Sequence, residues 1–183
     1  MSARARGDAV GRAPGLVVEP EPYASPVAQR FVAALEADMV ERYEVDVTAP
    51  GYEGEENGHW VVHAEQVTPP AGVFLVAWLD GEPVGSGALR RLVTTDDPTV
   101  GEVKRMWVEP HARRRGVSRA VLARLESEAR AFGYRRLQLE TGDRQPEALA
   151  LYETAGWHRI EPYGEYRDEP GSVCFAKDLA PTE

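Results

Sequence analysis

The chain has 183 residues, 43% of them apolar and 28% charged, with a formal net charge of −9. That length supports one domain with a real core, and the acidic balance excludes a general nucleic-acid binder, whose phosphate contacts need a basic face. The single cysteine, Cys174, leaves no disulfide framework and points to a reducing, cytoplasmic setting, and no apolar run approaches the ~20 residues of a membrane helix.

Residues 1–13 are rich in Arg, Ala and Gly without the apolar stretch of a secretory signal. They read as a mobile tail before one domain spanning 14–180. Leu16-Val17-Val18 reads as a short strand stopped by Pro20 and Pro22. Ser25 is a good cap, Pro26 a good first helical residue, and Phe31, Leu35 and Met39 recur every four positions, so a helix is expected from Pro26 to about Arg42. From Val45 to Gly58 the chain carries Pro50, glycines and the acids Glu53, Glu55 and Glu56, the pattern of a surface loop. An ordinary solvated loop and an acidic gate over an amine substrate both fit it. The run His59-Trp60-Val61-Val62-His63 prefers a strand, which separates its histidines for metal binding, and no third ligand accompanies them. His111 and His158 stand alone, and no metal is expected.

Val73–Leu79 and Val84–Leu92 form a hairpin about Asp80-Gly81-Glu82-Pro83. Gly85, Ser86 and Gly87 leave its second strand without large side chains, a mark of close packing or a bulge. A strand from Glu102 to Val108 precedes Pro110, and a helix runs from about Gly116 to Phe132, with Val117, Val121, Leu125 and Ala129 on one face and Gly133 after its end. Arg136–Thr141 is the next strand, which makes a parallel crossover. A helix opened by Gln145-Pro146 and ended by Gly156 follows, and then strands at Trp157–Ile160 and Val173–Lys177. The expected fold is mixed α/β (α+β): a central mixed sheet flanked by helices, antiparallel in its front half.

The turn Arg113-Arg114-Arg115-Gly116-Val117-Ser118, with Arg119 after it, opens the central helix. A helix dipole disfavours cations in its first turn, yet Arg114, Arg115 and Arg119 stand there in an acidic protein. Glycine allows several backbone N–H groups to aim at one point, so the turn reads as an anion site suited to a phosphate. It lacks the Lys-Ser/Thr ending of a nucleotide-binding P-loop. Cys174, in an apolar strand, reads either as a nucleophile or as a small buried hydrophobe.

Strand-x-Pro-x-x-Arg-x-x-Gly-x-Ser-helix, filled by Arg113, Gly116 and Ser118, resembles the acyl-CoA signature of the GNAT superfamily of N-acetyltransferases. Ala148 to Trp157, reading A-L-A-L-Y-E-T-A-G-W, resembles its second signature. The stretch from Glu161 to Lys177, E-P-Y-G-E-Y through S-V-C-F-A-K, resembles a subgroup of small bacterial members. Ser118 stands where Gly or Ala is usual, and Gln145 where many members have Asn.

The resemblance implies an acyltransferase that moves an acetyl group from acetyl-CoA to an amine, with no metal. It implies that the strand of Met106, Trp107 and Val108 holds pantetheine by its backbone, with Gln145 nearby, and that the pyrophosphate lies on Arg113, Arg114, Arg115, Gly116, Val117, Ser118 and Arg119. Tyr152 matches the usual acid for the leaving sulfur. Glu102 matches a strand glutamate used as base in some members, and Glu140 is the second candidate. A small-molecule amine is the expected acceptor, with protein amines as the alternative; a sensor without turnover is the rival reading. No membrane or nucleic-acid partner is expected, and a homodimer is open.

Overall fold

A computed structural model describes residues 15–45 and 61–180. The expectations for the tail, for most of the acidic loop with Glu53, Glu55 and Glu56, and for His59 lie outside the described residues. Seven strands are present: β1 (Leu16–Pro20), β2 (Gly72–Leu79), β3 (Glu82–Arg91), β4 (Val100–Val108), β5 (Arg136–Gly142), β6 (His158–Ile160) and β7 (Ser172–Asp178). The helices are α1 (Pro26–Tyr43), α2 (Val117–Ala131) and α3 (Pro146–Thr154). One sheet runs β1-β2-β3-β4-β5-β7-β6, antiparallel throughout except for the β4–β5 pair.

The continuous apolar run of β2 reflects burial on both sheet faces. Val73, Leu75, Ala77 and Leu79 face the core shared with α2, while Phe74 and Val76 face the core shared with Ala28, Phe31 and Val32 of α1. The caps follow from their residues. Ser25 Oγ accepts the Ala28 N–H at 3.1 Å, with Pro26 opening α1. Gly133, at φ +85°, lets the chain leave α2, and the Tyr134 N–H bonds Ala129 O at 2.9 Å.

Two features depart from the sequence reading. Val61–His63 form no strand; a single 3₁₀ turn, Ala64–Val67, follows them. Their polar groups are met by side chains instead: Arg90 Nη1 donates to Val61 O at 3.3 Å and to Gln66 Oε1 at 2.9 Å, and the His63 N–H donates to the same Gln66 oxygen at 3.1 Å. Val62, only 4% exposed, satisfies the apolar pattern from a packed loop.

The second departure is a bulge in β4. Its register with β3 shifts between Ser86 and Ala88, and Arg105 sits at φ +56°. One inserted residue reverses the alternation of faces beyond it. Val103, Met106 and Val108 therefore all pack on the α2 side, while Trp107 packs on the α1 side. The β4–β5 pairing ends at Glu102↔Gln138, and from there each strand keeps only its outer neighbour, β3 or β7. The sheet is split at its centre.

Gly87 permits the close seating of α2 over this split. A Cβ there would stand 2.6 Å from Val121 Cγ1, 2.8 Å from Met106 Sδ and 2.9 Å from Leu125 Cδ1. Gly87→Val should overpack this contact and cost about 1–3 kcal/mol. Urea unfolding of the variant reads the loss as a lower midpoint at constant slope.

Candidate active site

Two cavities meet in the split. The larger, about 1050 Å³, runs from the start of α2 along α3 to the opened end of β4. The smaller, about 450 Å³, opens on the α1 side between β4 and the β5–β7 end of the sheet. Leu35, Met39, Met106, Gln145 and Tyr152 line both. A molecule in one cavity thus abuts a molecule in the other at Met106 and Tyr152.

The large cavity begins at the arginine turn. Arg114 and Gly116 hold left-handed conformations, at φ +65° and +79°. Gly116 is the cap of α2, no side chain bonds its first N–H groups, and no acid lies in its first turn. The first intrahelical acceptor is Gly116 O, bonded by the Ala120 N–H at 3.0 Å. The N–H groups of Val117, Ser118 and Arg119 have no backbone acceptor among the described residues. Together with the dipole they form an anion cradle facing the cavity.

The arginines divide their work. Arg113 folds back along β4: its Nε donates to Val108 O at 3.1 Å and its guanidinium lies 5.1 Å from the Trp107 ring centre. It braces the open strand end as well as lining the cavity. Arg119 reaches Thr154 Oγ1 of α3 at 3.4 Å. Of the residues expected to hold the donor, Met106, Trp107, Val108, Arg113, Arg114, Gly116, Val117, Ser118, Arg119 and Gln145 all line the large cavity, and Arg115 does not.

Tyr152 is 4% exposed, with its ring 5.6 Å from that of Phe175 and 6.0 Å from that of Trp157. Burial first, then the Glu140 carboxylate, pushes its phenol well above the ordinary value. It therefore keeps its proton at neutral pH, the state a general acid needs.

Glu102 has a different setting from the one its position suggested. It is 1% exposed and lines neither cavity. Arg90 grips Oε2 through Nε at 2.8 Å and Nη2 at 2.7 Å, and Tyr163 Oη donates to Oε1 at 3.0 Å. Both carboxylate oxygens are thus engaged by Arg90 and Tyr163 and are turned away from the two cavities. Glu140 does line the small cavity, and its Oε1 accepts from Ser172 Oγ at 2.8 Å.

Cys174 is 1% exposed, and burial pushes its thiol up to about 11, so it is a packed hydrophobe and not a thiolate. Among the described residues no group of three or more His, Cys, Asp and Glu side chains is arranged to hold a metal ion, and no helix is long and apolar enough to cross a membrane. Sequence reasoning missed Lys104 and Tyr166, which line the small cavity. The only signal for them was the tyrosine-bearing loop before β7, whose place over the split depends on the fold.

A split mixed sheet whose gap faces a glycine-started helix and a buried tyrosine is suited to holding an anionic donor beside a second reactant. The model of the Acetyltransferase (GNAT) family matches residues 32–157, and the chain belongs to that family. It is 36% identical over 155 residues to a protein named IAA acetyltransferase from Azospirillum brasilense, covering 85% of this chain and 94% of that one. Among solved structures, an acyl-CoA N-acyltransferase from Klebsiella pneumoniae superposes with a TM-score of 0.69 at 26% identity, covering 90% of this chain and 98% of the other. The yncA acetyltransferase of Salmonella typhimurium, solved with its cofactor acetyl-CoA, shares the fold with a TM-score of 0.62 at 13% identity, covering 92% and 96%.

The buried Arg90–Glu102 pair ties β3 to β4 at the point where β4 and β5 part. Arg90→Met should strand a buried carboxylate and lower stability by about 3–5 kcal/mol, read from denaturant midpoints. Glu102→Gln in the same background should recover part of that loss, because it removes the orphaned charge.

Proposed function

We propose that the protein transfers the acetyl group of acetyl-CoA to the primary amine of a small molecule, by direct attack with both substrates bound. The observation that carries this reading is the meeting of the two cavities at Met106 and Tyr152 in the split between β4 and β5. The donor would lie in the large cavity, with its phosphates on the turn of Arg114, Gly116, Val117 and Ser118 and its pantetheine along the open edge of β4. When bound, acetyl-CoA supplies an activated acyl group; the chain's residues supply position and proton control. Holding the two reactants in adjoining cavities accounts for much of the rate by proximity. The confined volume of the small cavity favours a small acceptor over a folded protein surface.

Tyr152 holds a proton at its Oη for the leaving sulfur. Amine attack requires loss of a proton, because an alkylammonium of pKa near ~10 is no nucleophile. The Glu140 carboxylate, in the acceptor cavity, is assigned that proton, and Glu102 is assigned to positioning through Arg90 and Tyr163. Burial first, and then the Glu140 charge, keep the Tyr152 phenol protonated, which suits its role as the acid.

Steady release of free thiol from acetyl-CoA with an amine panel tests turnover, and a product bearing one added acetyl group confirms the transfer. Gly116→Val, which fills the cradle and forces a left-handed position onto a β-branched residue, should weaken acetyl-CoA binding at least tenfold, or ~1.4 kcal/mol, by calorimetry. Tyr152→Phe should keep acetyl-CoA affinity within a few-fold and lower kcat and kcat/KM together by about 10²- to 10⁴-fold. Normal turnover in a Phe variant of lower Tm would make Tyr152 a packing residue.

A further inference from the structure

We propose that the acceptor carries a carboxylate beside its amine, an amino-acid-like zwitterion, and that Lys104, positioned by its hydrogen bond to Tyr166, binds that carboxylate in the small cavity. This rests on the reading of that cavity as the acceptor site.

Lys104 is the observation that demands it. Its side chain is 13% exposed, yet it lines the small cavity. A lysine ammonium has three N–H donors and no acceptor. Here Nζ donates to Tyr166 Oη, and it also lies 5.1 Å from the centre of that ring. Its ion-pair partner, Glu102 Oε1, is 4.0 Å away, too far for a hydrogen bond. That carboxylate is already committed to Arg90 and Tyr163. The other cation of the cavity, Arg105, is matched by Glu36 at 2.8 Å. Glu140, across the split, takes its bond from Ser172.

Lys104 is thus a desolvated cation whose neighbouring anion is spent elsewhere. Burial lowers its pKa, the charges of Glu102 and Glu140 oppose that shift, and those of Arg90 and Arg105 add to it. Burying a cation is costly unless an anion with acceptor atoms meets it. A ligand carboxylate in the cavity supplies both.

The spacing suits an α-amino acid. Lys104 precedes Met106 by two residues on β4, so the anchor and the reaction point lie within about 7 Å along the strand. An ammonium a few ångströms from the carboxylate then falls toward Glu140 and the meeting point of the cavities. The remaining wall is mixed: Glu36, Gln145 and Glu169 are polar, while Leu35, Met39, Val40 and Tyr43 of α1 form an apolar and aromatic side that favours an apolar or aromatic side chain.

The test compares L-amino acids bearing apolar and aromatic side chains with their carboxamides, by thiol release at saturating acetyl-CoA. An amide's amine has the lower pKa and is more often free, so intrinsic reactivity favours the amide; a preference for acids must come from binding. The wild-type kcat/KM should favour the acid by tenfold or more. Lys104→Met should bring the acid-to-amide ratio near one, chiefly through the KM of the acids, and Lys104→Arg should restore part of it. Tyr166→Phe should lower the ratio a few-fold. A cooperative melt and acetyl-CoA titration establish that each variant is folded.

Amides used as well as acids by the wild type would overturn the proposal. So would a folded Lys104→Met that loses acids and amides equally, which would make Lys104 a proton acceptor or a structural cation. Turnover of simple amines but of neither member of any pair overturns this inference and leaves the acetyltransferase reading standing. Failure to bind acetyl-CoA removes both.

Discussion

The parting of β4 from β5 after Glu102 is the constraint on which the rest of the structure depends. A parallel pair at the centre of a sheet would normally continue its ladder. Here the bulge at Arg105 bends β4 away, and the paired portion is left with three registered positions, Val100, Glu102 and Gly101 against β5. The gap leaves backbone unpaired in the middle of the molecule, where a ligand can meet it. It also places the α3 residue Tyr152 within reach of both faces. Small residues on β3 are the counterpart of the bulge, since α2 can approach the split only because Gly85 and Gly87 lack side chains.

A split sheet needs support beneath it, and the support is polar. Arg90, Glu102, Tyr163, Lys104 and Tyr166 form a buried network that ties β3, β4 and the loop before β7 together. Such a network stabilises only when each member is satisfied. Arg90 is satisfied by Glu102, Gln66 and Val61, so the irregular segment on the α1 side is held by the same guanidinium that holds the strand. A second polar cluster, Lys177 on Glu126 and Ala155 O with the Trp157 indole on Glu126, fastens α2 to α3 and β7. It keeps the walls of the large cavity at fixed separation.

The start of α2 shows how a locally unfavourable sequence becomes intelligible. Cations at a helix N-terminus oppose the dipole, and this helix has neither an acid in its first turn nor a side-chain cap. The arrangement is stable when an anion arrives, and the left-handed positions at Arg114 and Gly116 are the backbone's preparation for it. Arg113 departs from that role in part, since it is bent onto Val108 O and Trp107.

The sequence by itself determined the elements and the donor side of the site. Ser25-Pro26, Gly116, Gly133, Pro146 and Gly156 act within a few residues of themselves, so the helix ends were legible from local chemistry. The turn proposed for the phosphates was legible as a candidate for the same reason, because one loop and one helix start contain all of it. Of the proposed acceptor side only Glu140, the second candidate base, was legible; the rest was decided by the tertiary structure. Lys104, Tyr166 and Leu35 come from three separate elements, and no spacing along the chain relates them. Glu102 seemed a candidate base by its place on β4, but its partner Arg90 lies on β3, so only strand pairing reveals the ion pair that occupies it. The bulge was signalled only from the neighbouring strand, by Gly85, Ser86 and Gly87 of β3, opposite which it lies. Within β4 itself no glycine or proline marks it in Val103-Lys104-Arg105-Met106-Trp107-Val108, and a single residue's left-handed turn at Arg105 decides which face Met106 presents.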